Sequence, residues 1–234
     1  MDKGICSIEI GIDEAGRGPL LGDLVVGVVA NDSRNSQWLI SANIRDSKEL
    51  SQKQRENLAK YILEHADLVV TAYVPPRLID RYKLNKLVAD TIVEILEVVI
   101  EVLEKPKHRI RVYVDEVKGY SKYIEEKLRK NRRSDVEFVM EKKADKKYPI
   151  VSAASIIAKY VRDSNLYASR IIYGDFGSGY PSDTVTRNWI SSYSKLYREP
   201  PPIVRRSWST LLNLAPHWYF NPKKGRNILE YLMG

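Results

Sequence analysis

A short alternating segment near the N-terminus constrains the fold more than any other feature of this sequence. In residues 7–13 every second residue is isoleucine, and the residues between them are polar or glycine. A period of two predicts a strand, here closed by Asp13. A turn rich in glycine and proline follows at 16–22, and the apolar run 24–30 predicts a second strand. The two strands are close enough to form an antiparallel hairpin.

The rest of the chain predicts strands that alternate with helices. Further strands are predicted at 67–74, 109–115 and 136–140, and helices at 51–64, 85–104, 121–130, 184–197 and in the segment that follows Pro149. A hairpin followed by alternating strands and helices predicts an α/β fold with a mixed five-stranded sheet flanked by helices. Small residues in the first turn after Pro149 predict that something approaches that helix closely.

The bulk properties narrow the class of protein. A chain of 234 residues that is 44% hydrophobic fits one compact domain with an appendage. The single cysteine, Cys6, forms no internal disulfide and favours a reducing, cytoplasmic setting. Glutamates interrupt the most apolar stretch, 92–103, and no secretory signal opens the chain, so neither secretion nor a membrane is expected. A net charge of +8 suits a phosphate-rich partner without requiring one.

The C-terminal part predicts a separate, basic element. We expect a catalytic domain over 1–173 and a small helical, substrate-binding extension over 174–234, with Pro200 to Pro202 marking a boundary or a rigid turn. The basic residues there are Arg198, Arg205, Arg206, Lys223, Lys224 and Arg226. The aromatic residues Trp208, Trp218 and Tyr219 either help to grip a duplex or pack the extension onto the body.

Acidic residues follow several of the predicted strands. Asp13 and Glu14 end the first strand, Asp115 ends the fourth, and Asp145 comes shortly after the fifth. Such residues are commonly turn residues or helix caps, so their spacing alone does not assign a role. If the strands lie side by side, the carboxylates converge and repel unless a cation neutralises them. The oxygen-only set, without clustered histidine or cysteine, favours Mg²⁺ or Mn²⁺.

Five ordered motifs resemble the type 2 ribonuclease H family. They are Gly11–Pro19 (GIDEAGRGP), Arg45–Leu50 (RDSKEL), Val112–Asp115 (VYVD), Lys143–Ile156 (KADKKYPIVSAASI) and Gly177–Asp183 (GSGYPSD). The segment Val204–Trp208 (VRRSW) is similar to the archaeal branch. The resemblance runs from about Gly11 to Trp208, and five motifs in order make it highly specific.

The resemblance implies both a fold and an activity. It implies an RNase H-like fold in which Asp13, Glu14, Asp115 and Asp145 are catalytic and bind the metal. It further implies cleavage on the 5′ side of a ribonucleotide in an RNA/DNA hybrid or in duplex DNA, leaving 3′-hydroxyl and 5′-phosphate ends.

Further residues are implied to contact the nucleic acid. Gly16, Arg17 and Gly18 would present backbone groups to the 2′-hydroxyl, and the hydroxyl of Tyr180 would help to read it. The implied candidates for phosphate contacts are Ser47, Lys48, Lys143, Ser152 and Ser155. Hydroxyls, ammonium groups and a helix N-terminus all favour an anion.

Three other interpretations stay open. A type 3 ribonuclease H shares the core but carries an additional N-terminal domain, and the short segment before Asp13 argues against it. A non-catalytic duplex-binding protein would explain the charge but not the four carboxylates. A metal-dependent phosphatase for small molecules is the third. The sequence favours a monomer, and it contains no motif that predicts docking on a replication clamp.

Overall fold

The computed structural model describes residues 7–41, 50–103, 109–130 and 136–221. The strands are β1 (Ser7–Ala15), β2 (Leu24–Asp32), β3 (Leu68–Val74), β4 (Arg109–Asp115) and β5 (Val136–Glu141). The helices are α1 (Gln37–Ser41), α2 (Gln52–His65), α3 (Pro76–Ile79), α4 (Leu84–Leu103), α5 (Ser121–Lys130), α6 (Ala144–Lys147), α7 (Pro149–Tyr173), α8 (Thr184–Leu196) and α9 (Leu211–Leu214).

The strands form one mixed sheet in the order β3-β2-β1-β4-β5, which confirms the predicted fold class. The hairpin β1–β2 and the pair β2–β3 are antiparallel, whereas β1–β4 and β4–β5 are parallel. Because Ile12 lies beside Val114 in parallel register, Asp13 and Asp115 each stand one residue further along adjacent strands. The prediction that Asp13 closes β1 is wrong, since Glu14 and Ala15 still pair with β2.

The backbone of helix α7 packs directly against the backbone of the sheet at two glycines. A β-carbon at Gly11 would lie 2.3 Å from the backbone carbon of Ile150, and one at Gly27 would lie 2.6 Å from the carbonyl oxygen of Ala154. The small residues predicted to admit a close neighbour therefore meet the sheet itself. This packing places the middle of α7 beside the last residues of β1.

Helix α4 covers the opposite face of the sheet. Its buried stripe includes Val88, Ile92 and Leu96, and these side chains pack with Ile10 and Ile12 of β1. Successive side chains of a strand point to opposite faces, so the two faces of β1 meet different helices. Asp13 therefore faces α7, and Glu14 faces the side of α4.

The C-terminal residues up to Asn221 pack onto the turn that follows β1 and onto α7. Phe176, Ile190 and Trp218 form a hydrophobic cluster with Leu21 and Leu166, and Trp218 is fully buried. This packing favours the structural interpretation of Trp218. Residues 222–234, with Lys223, Lys224 and Arg226, lie outside the described residues. The boundary between residues 173 and 174 stays a prediction.

Several short elements were absent from the sequence prediction. Helices α1, α3, α6 and α9 span only four or five residues each, too few for a periodic pattern. The N-terminus of α2 was predicted correctly: Ser51 and Gln54 form a reciprocal capping box there. Among the helices of the described ranges, none has the length and apolar character to cross a membrane.

The contact between α7 and β1 predicts that one methyl group added at Gly11 destabilises the fold. Gly11→Ala should lower the free energy of unfolding by about 3 kcal/mol or more, because the nearest atoms belong to the backbone of α7. Urea denaturation measures the loss. Gly18→Ala is the control, since its β-carbon would meet nothing nearer than 3.6 Å, and it should change stability by at most about 1 kcal/mol. Equal losses in the two variants would contradict this account of the packing.

Candidate active site

Asp13 and Glu14 are buried carboxylates with different partners. Asp13 is 7% exposed, its Oδ1 accepts a hydrogen bond from the backbone N–H of Glu14 at 2.8 Å, and its carboxyl group is hydrogen-bonded to Ser155 of α7. The Glu14 carboxylate accepts a hydrogen bond from Nε of Arg17 at 2.5 Å. The two side chains are thus held from opposite faces of the sheet.

Burial makes both carboxylates difficult to ionise. Burial, with the charges of Glu14 and Asp115 adding to it, raises the pKa of Asp13 from 3.8 to about 8. Burial likewise raises the pKa of Glu14, and the charge and hydrogen bond of Arg17 oppose that rise. A nearby cation would favour the ionised form of both groups. Buried, mutually repelling oxygen donors are the chemistry that a hard divalent cation fits.

Asp115 links the sheet to Asp145. Its Oδ1 accepts a hydrogen bond from the backbone N–H of Ala144 at 3.0 Å, and Ala144 opens α6. Asp145 follows directly and is 5% exposed. The charge of Asp115 contributes to the raised pKa values of Asp13 and Glu14, so these three carboxylates act on one another.

Asp13, Glu14 and Asp115 are neighbours, but the four carboxylates do not form a preformed metal site among the described residues. Within the described ranges, no three side chains of His, Cys, Asp or Glu are gathered as a metal-binding cluster. Lys143, just before α6, is the one non-glycine residue of those ranges with a positive φ, at 58°. That conformation costs about 1 kcal/mol or more and is often retained at functional sites.

The turn after β1 lies next to the carboxylates, and its backbone conformation requires glycine at position 16. Gly16 has a φ of 98°, and a β-carbon there would lie 2.8 Å from the carbonyl oxygen of Asp23. The guanidinium of Arg17 turns back toward Glu14, and its Nη1 donates to Oδ1 of Asn85 at 2.7 Å. The side chain of Arg17 therefore supports Glu14, and only the backbone of Arg17 stays available for the predicted contact with the 2′-hydroxyl.

Tyr180 lies over the same turn. A β-carbon at Gly18 would contact its ring at 3.6 Å, and the guanidinium carbon of Arg162 lies 5.3 Å from the ring centre. Tyr180 remains 40% exposed. A cleft of about 570 Å³ joins Tyr180 to Glu14 and the turn, and its other lining residues include Arg55, Lys159, Arg162 and Arg170. Carboxylate, turn and aromatic ring thus share one cationic cleft.

The predicted phosphate contacts have different positions. Lys143 is exposed beside α6, whereas Ser152 and Ser155 are each only 1% exposed. Ser155 faces Asp13, so we revise its expected role from contacting phosphate to holding that carboxylate. Burial gives no support to a direct phosphate contact by Ser152 either. Ser47 and Lys48 lie outside the described residues.

Two supporting residues, Asn85 and Arg162, escaped the sequence analysis. Asn85 lies 68 residues from its partner Arg17, and no local pattern connects them. Arg162 did have a signal: it stands seven residues after Ser155, which places both side chains on one face of α7. The seven-residue spacing from Ser155 could therefore have predicted that Arg162 lies in the cleft.

Solved structures share the whole architecture. The ribonuclease H2 from Pyrococcus horikoshii is 37% identical, with a TM-score of 0.78 over 93% of this chain and all of that one. The Archaeoglobus fulgidus structure titled as a PCNA:RNase HII complex is 32% identical, with a TM-score of 0.73 over 95% of this chain and 99% of that one. The mixed sheet and these similarities define an enzyme of the ribonuclease H class with an RNase H-like fold.

Sequence comparison places the chain within that class. The family model described as Ribonuclease HII matches residues 10–211. The ribonuclease HII of Hyperthermus butylicus is 41% identical over 242 residues, covering 100% of this chain and 98% of the relative. That of Pyrococcus horikoshii is 40% identical over 202 residues, covering 86% and 89%. The chain belongs to the ribonuclease HII family, as its five motifs predicted.

The raised pKa of Asp13 predicts that this residue destabilises the metal-free protein. Between pH 4 and pH 8 the folded state keeps a proton that the unfolded state releases, so stability falls as pH rises. In EDTA, Asp13→Asn should gain stability relative to the wild type by about 1 kcal/mol or more between pH 5 and pH 8.5. Urea denaturation at the two pH values measures this change.

Asp183 provides the control, because its pKa is shifted in the opposite direction, downward. Hydrogen bonds from the backbone and hydroxyl of Ser178 lower the pKa of Asp183 to about 2. Its folded and unfolded pKa values both lie below pH 5, so the stability difference between wild type and Asp183→Asn should not change over the same pH range. A pH-independent difference for Asp13→Asn as well would refute the assignment of the raised pKa.

Proposed function

We propose that this protein is an endonuclease that hydrolyses the RNA strand of RNA/DNA hybrids and also cuts 5′ to single ribonucleotides embedded in duplex DNA. The products are a 3′-hydroxyl and a 5′-phosphate, and water is the nucleophile. The observation that carries the proposal is the shared cleft, in which Glu14, the turn at Gly16 and Arg17, and Tyr180 are adjacent.

Asp13, Glu14, Asp115 and Asp145 would hold Mg²⁺ or Mn²⁺. The buried oxygen donors and the raised pKa values of Asp13 and Glu14 support this assignment. When bound, such ions lower the pKa of water and stabilise the developing charge on the leaving oxygen. Ser155 holds Asp13, Arg17 holds Glu14, and the backbone N–H of Ala144 holds Asp115, so each of the three is oriented before substrate arrives.

The turn would distinguish ribose from deoxyribose. A glycine backbone allows a sugar to approach closely, and the 2′-hydroxyl is the one group that separates RNA from DNA at a single nucleotide. The exposed ring of Tyr180 lies over Gly18, where its hydroxyl can contribute to the same contact. The guanidinium and ammonium groups along the cleft would neutralise backbone phosphates near the cut.

The C-terminal part would act as a substrate-binding extension of a monomeric catalytic domain. Its packing against Leu21 and Leu166 attaches it beside the turn and the cleft. Arg205 does not belong to a phosphate-gripping surface, because it is fully buried. We also propose a replication clamp as a partner, because one structural relative is described as a complex with PCNA.

End-labelled duplex DNA with one ribonucleotide tests substrate, metal and cleavage side together. Cleavage should require Mg²⁺ or Mn²⁺, stop in EDTA and map to the 5′ side of the ribonucleotide. Asp13→Asn should lower the rate by more than about 100-fold while duplex binding largely survives, because loss of a metal ligand should cost more than loss of a residue that supports one. Glu116→Gln is the control, since Glu116 is exposed next to Asp115 and should leave the rate unchanged.

Other results would select other functions. Duplex binding without any cleavage would indicate a non-catalytic binding protein. Cleavage of long hybrids without cleavage at a single ribonucleotide would favour the type 3 activity. Turnover of a small phosphate ester, with the duplex left intact, would indicate a phosphatase.

A further inference from the structure

A buried arginine from the C-terminal part holds the turn that follows β1. Arg205 is fully buried, its Nε donates to the carbonyl oxygen of Gly22 at 2.8 Å, and its Nη1 donates to that of Arg17 at 3.3 Å. Trp208 adds a third contact, from its indole N–H to the carbonyl oxygen of Gly18 at 3.1 Å. The guanidinium carbon of Arg205 lies 5.2 Å from the Trp208 ring centre.

This C-terminal segment is itself fixed on both sides. The backbone N–H of Arg205 donates to the carbonyl oxygen of Leu20 at 2.9 Å. On the other side, the buried carboxylate of Asp80 accepts hydrogen bonds from the backbone N–H groups of Arg206 and Ser207 at 2.9 and 2.8 Å. Arg205 and Trp208 therefore present their donors from a rigid support.

Packing alone does not explain a charge at this position. Burial and the nearby charge of Arg162 lower the pKa of Arg205 to about 10, while Asp23 and Asp80 oppose that change. A hydrophobic side chain would fill the same space without the cost of desolvating a guanidinium. What an arginine supplies is a planar fork that reaches two carbonyl groups at once.

The geometry of the peptide bond gives these contacts a consequence in the cleft. In a trans peptide unit the C=O bond and the N–H bond of the next residue lie in one plane and point in opposite directions. The carbonyl of Arg17 and the N–H of Gly18 belong to the same peptide unit. Since Arg205 holds that carbonyl toward the protein interior, the N–H of Gly18 is turned away from Arg205.

We propose that Arg205 and Trp208 are positioning residues for ribose recognition. Arg205 fixes the peptide plane that carries the N–H of Gly18, and Trp208 fixes the next peptide plane, so that this N–H meets the 2′-hydroxyl. This inference rests on the proposed function and extends it to two residues that do not touch the substrate. Their loss should impair the choice between ribose and deoxyribose more than the affinity for duplex in general.

Competitive kinetics in Mg²⁺ separates the two effects. The KM for a duplex with one ribonucleotide reports recognition of the ribose, and the inhibition constant of the identical all-DNA duplex reports general affinity. Arg205→Met should raise KM about tenfold and Trp208→Phe about threefold, in line with the loss of one or two hydrogen bonds. The inhibition constant of the all-DNA duplex should stay within about twofold of the wild type.

Trp189→Phe is the matched control. The indole N–H of Trp189 donates to the carbonyl oxygen of Tyr173 at 2.9 Å, away from the turn, so its loss should leave the ratio of the two constants unchanged. A merely structural role for Trp208 would lower the active fraction, and hence kcat, without changing that ratio. If Arg205→Met fails to fold, Trp208→Phe decides the question.

The outcomes distinguish this inference from the function on which it rests. If the wild type binds both duplexes equally, the proposed ribose recognition is wrong. If the wild type discriminates and Trp208→Phe discriminates equally well, ribose recognition stands and the positioning role is wrong.

Discussion

Helix α7 lies against β1 and β2 so closely that neither Gly11 nor Gly27 has room for a β-carbon. That contact sets the distance between the helix and the last residues of β1, where the carboxylates begin. With the backbones fixed, Ser155 reaches Asp13. Arg162, seven residues or about two helical turns later, lies beside Gly16 and Tyr180. One packing interaction thus positions a group that holds a carboxylate and a group that supports the turn.

The same packing creates an electrostatic cost. Within the described part of the chain, Asp13 and Glu14 are removed from water without an equal number of cations around them, and burial raises both pKa values. Arg17 compensates in part on the side of α4, while the partners of Asp13 among the described residues are the hydroxyl of Ser155 and the backbone N–H of Glu14. A fold optimised for stability alone would not place these groups here, so this cost supports the proposed cation site.

Local pattern was enough to predict the sheet but not the supporting contacts. The alternation in 7–13 and in β4 identified strands whose parallel register puts Asp13 beside Asp115. The helix that carries Asp145 was not predicted, because α6 has only four residues and no periodicity to reveal it. The pairing of Arg17 with Asn85 and that of Arg205 with Gly22 join residues 68 and 183 positions apart, and such pairings depend on the complete fold. The proposed role of each carboxylate rests on the motifs, since spacing alone fits a helix cap equally well.

Arg205 illustrates why charge counts mislead about function. In the sequence it is one of several basic residues near the C-terminus, and net charge suggests that all of them face phosphate. In the fold it is fully buried, and its donors point at carbonyl groups of the turn. Its charge is used inside the protein, where desolvation strengthens each hydrogen bond that it makes. The proposed selectivity of the cleft would then depend on the rigidity of that turn as much as on the groups that face the substrate.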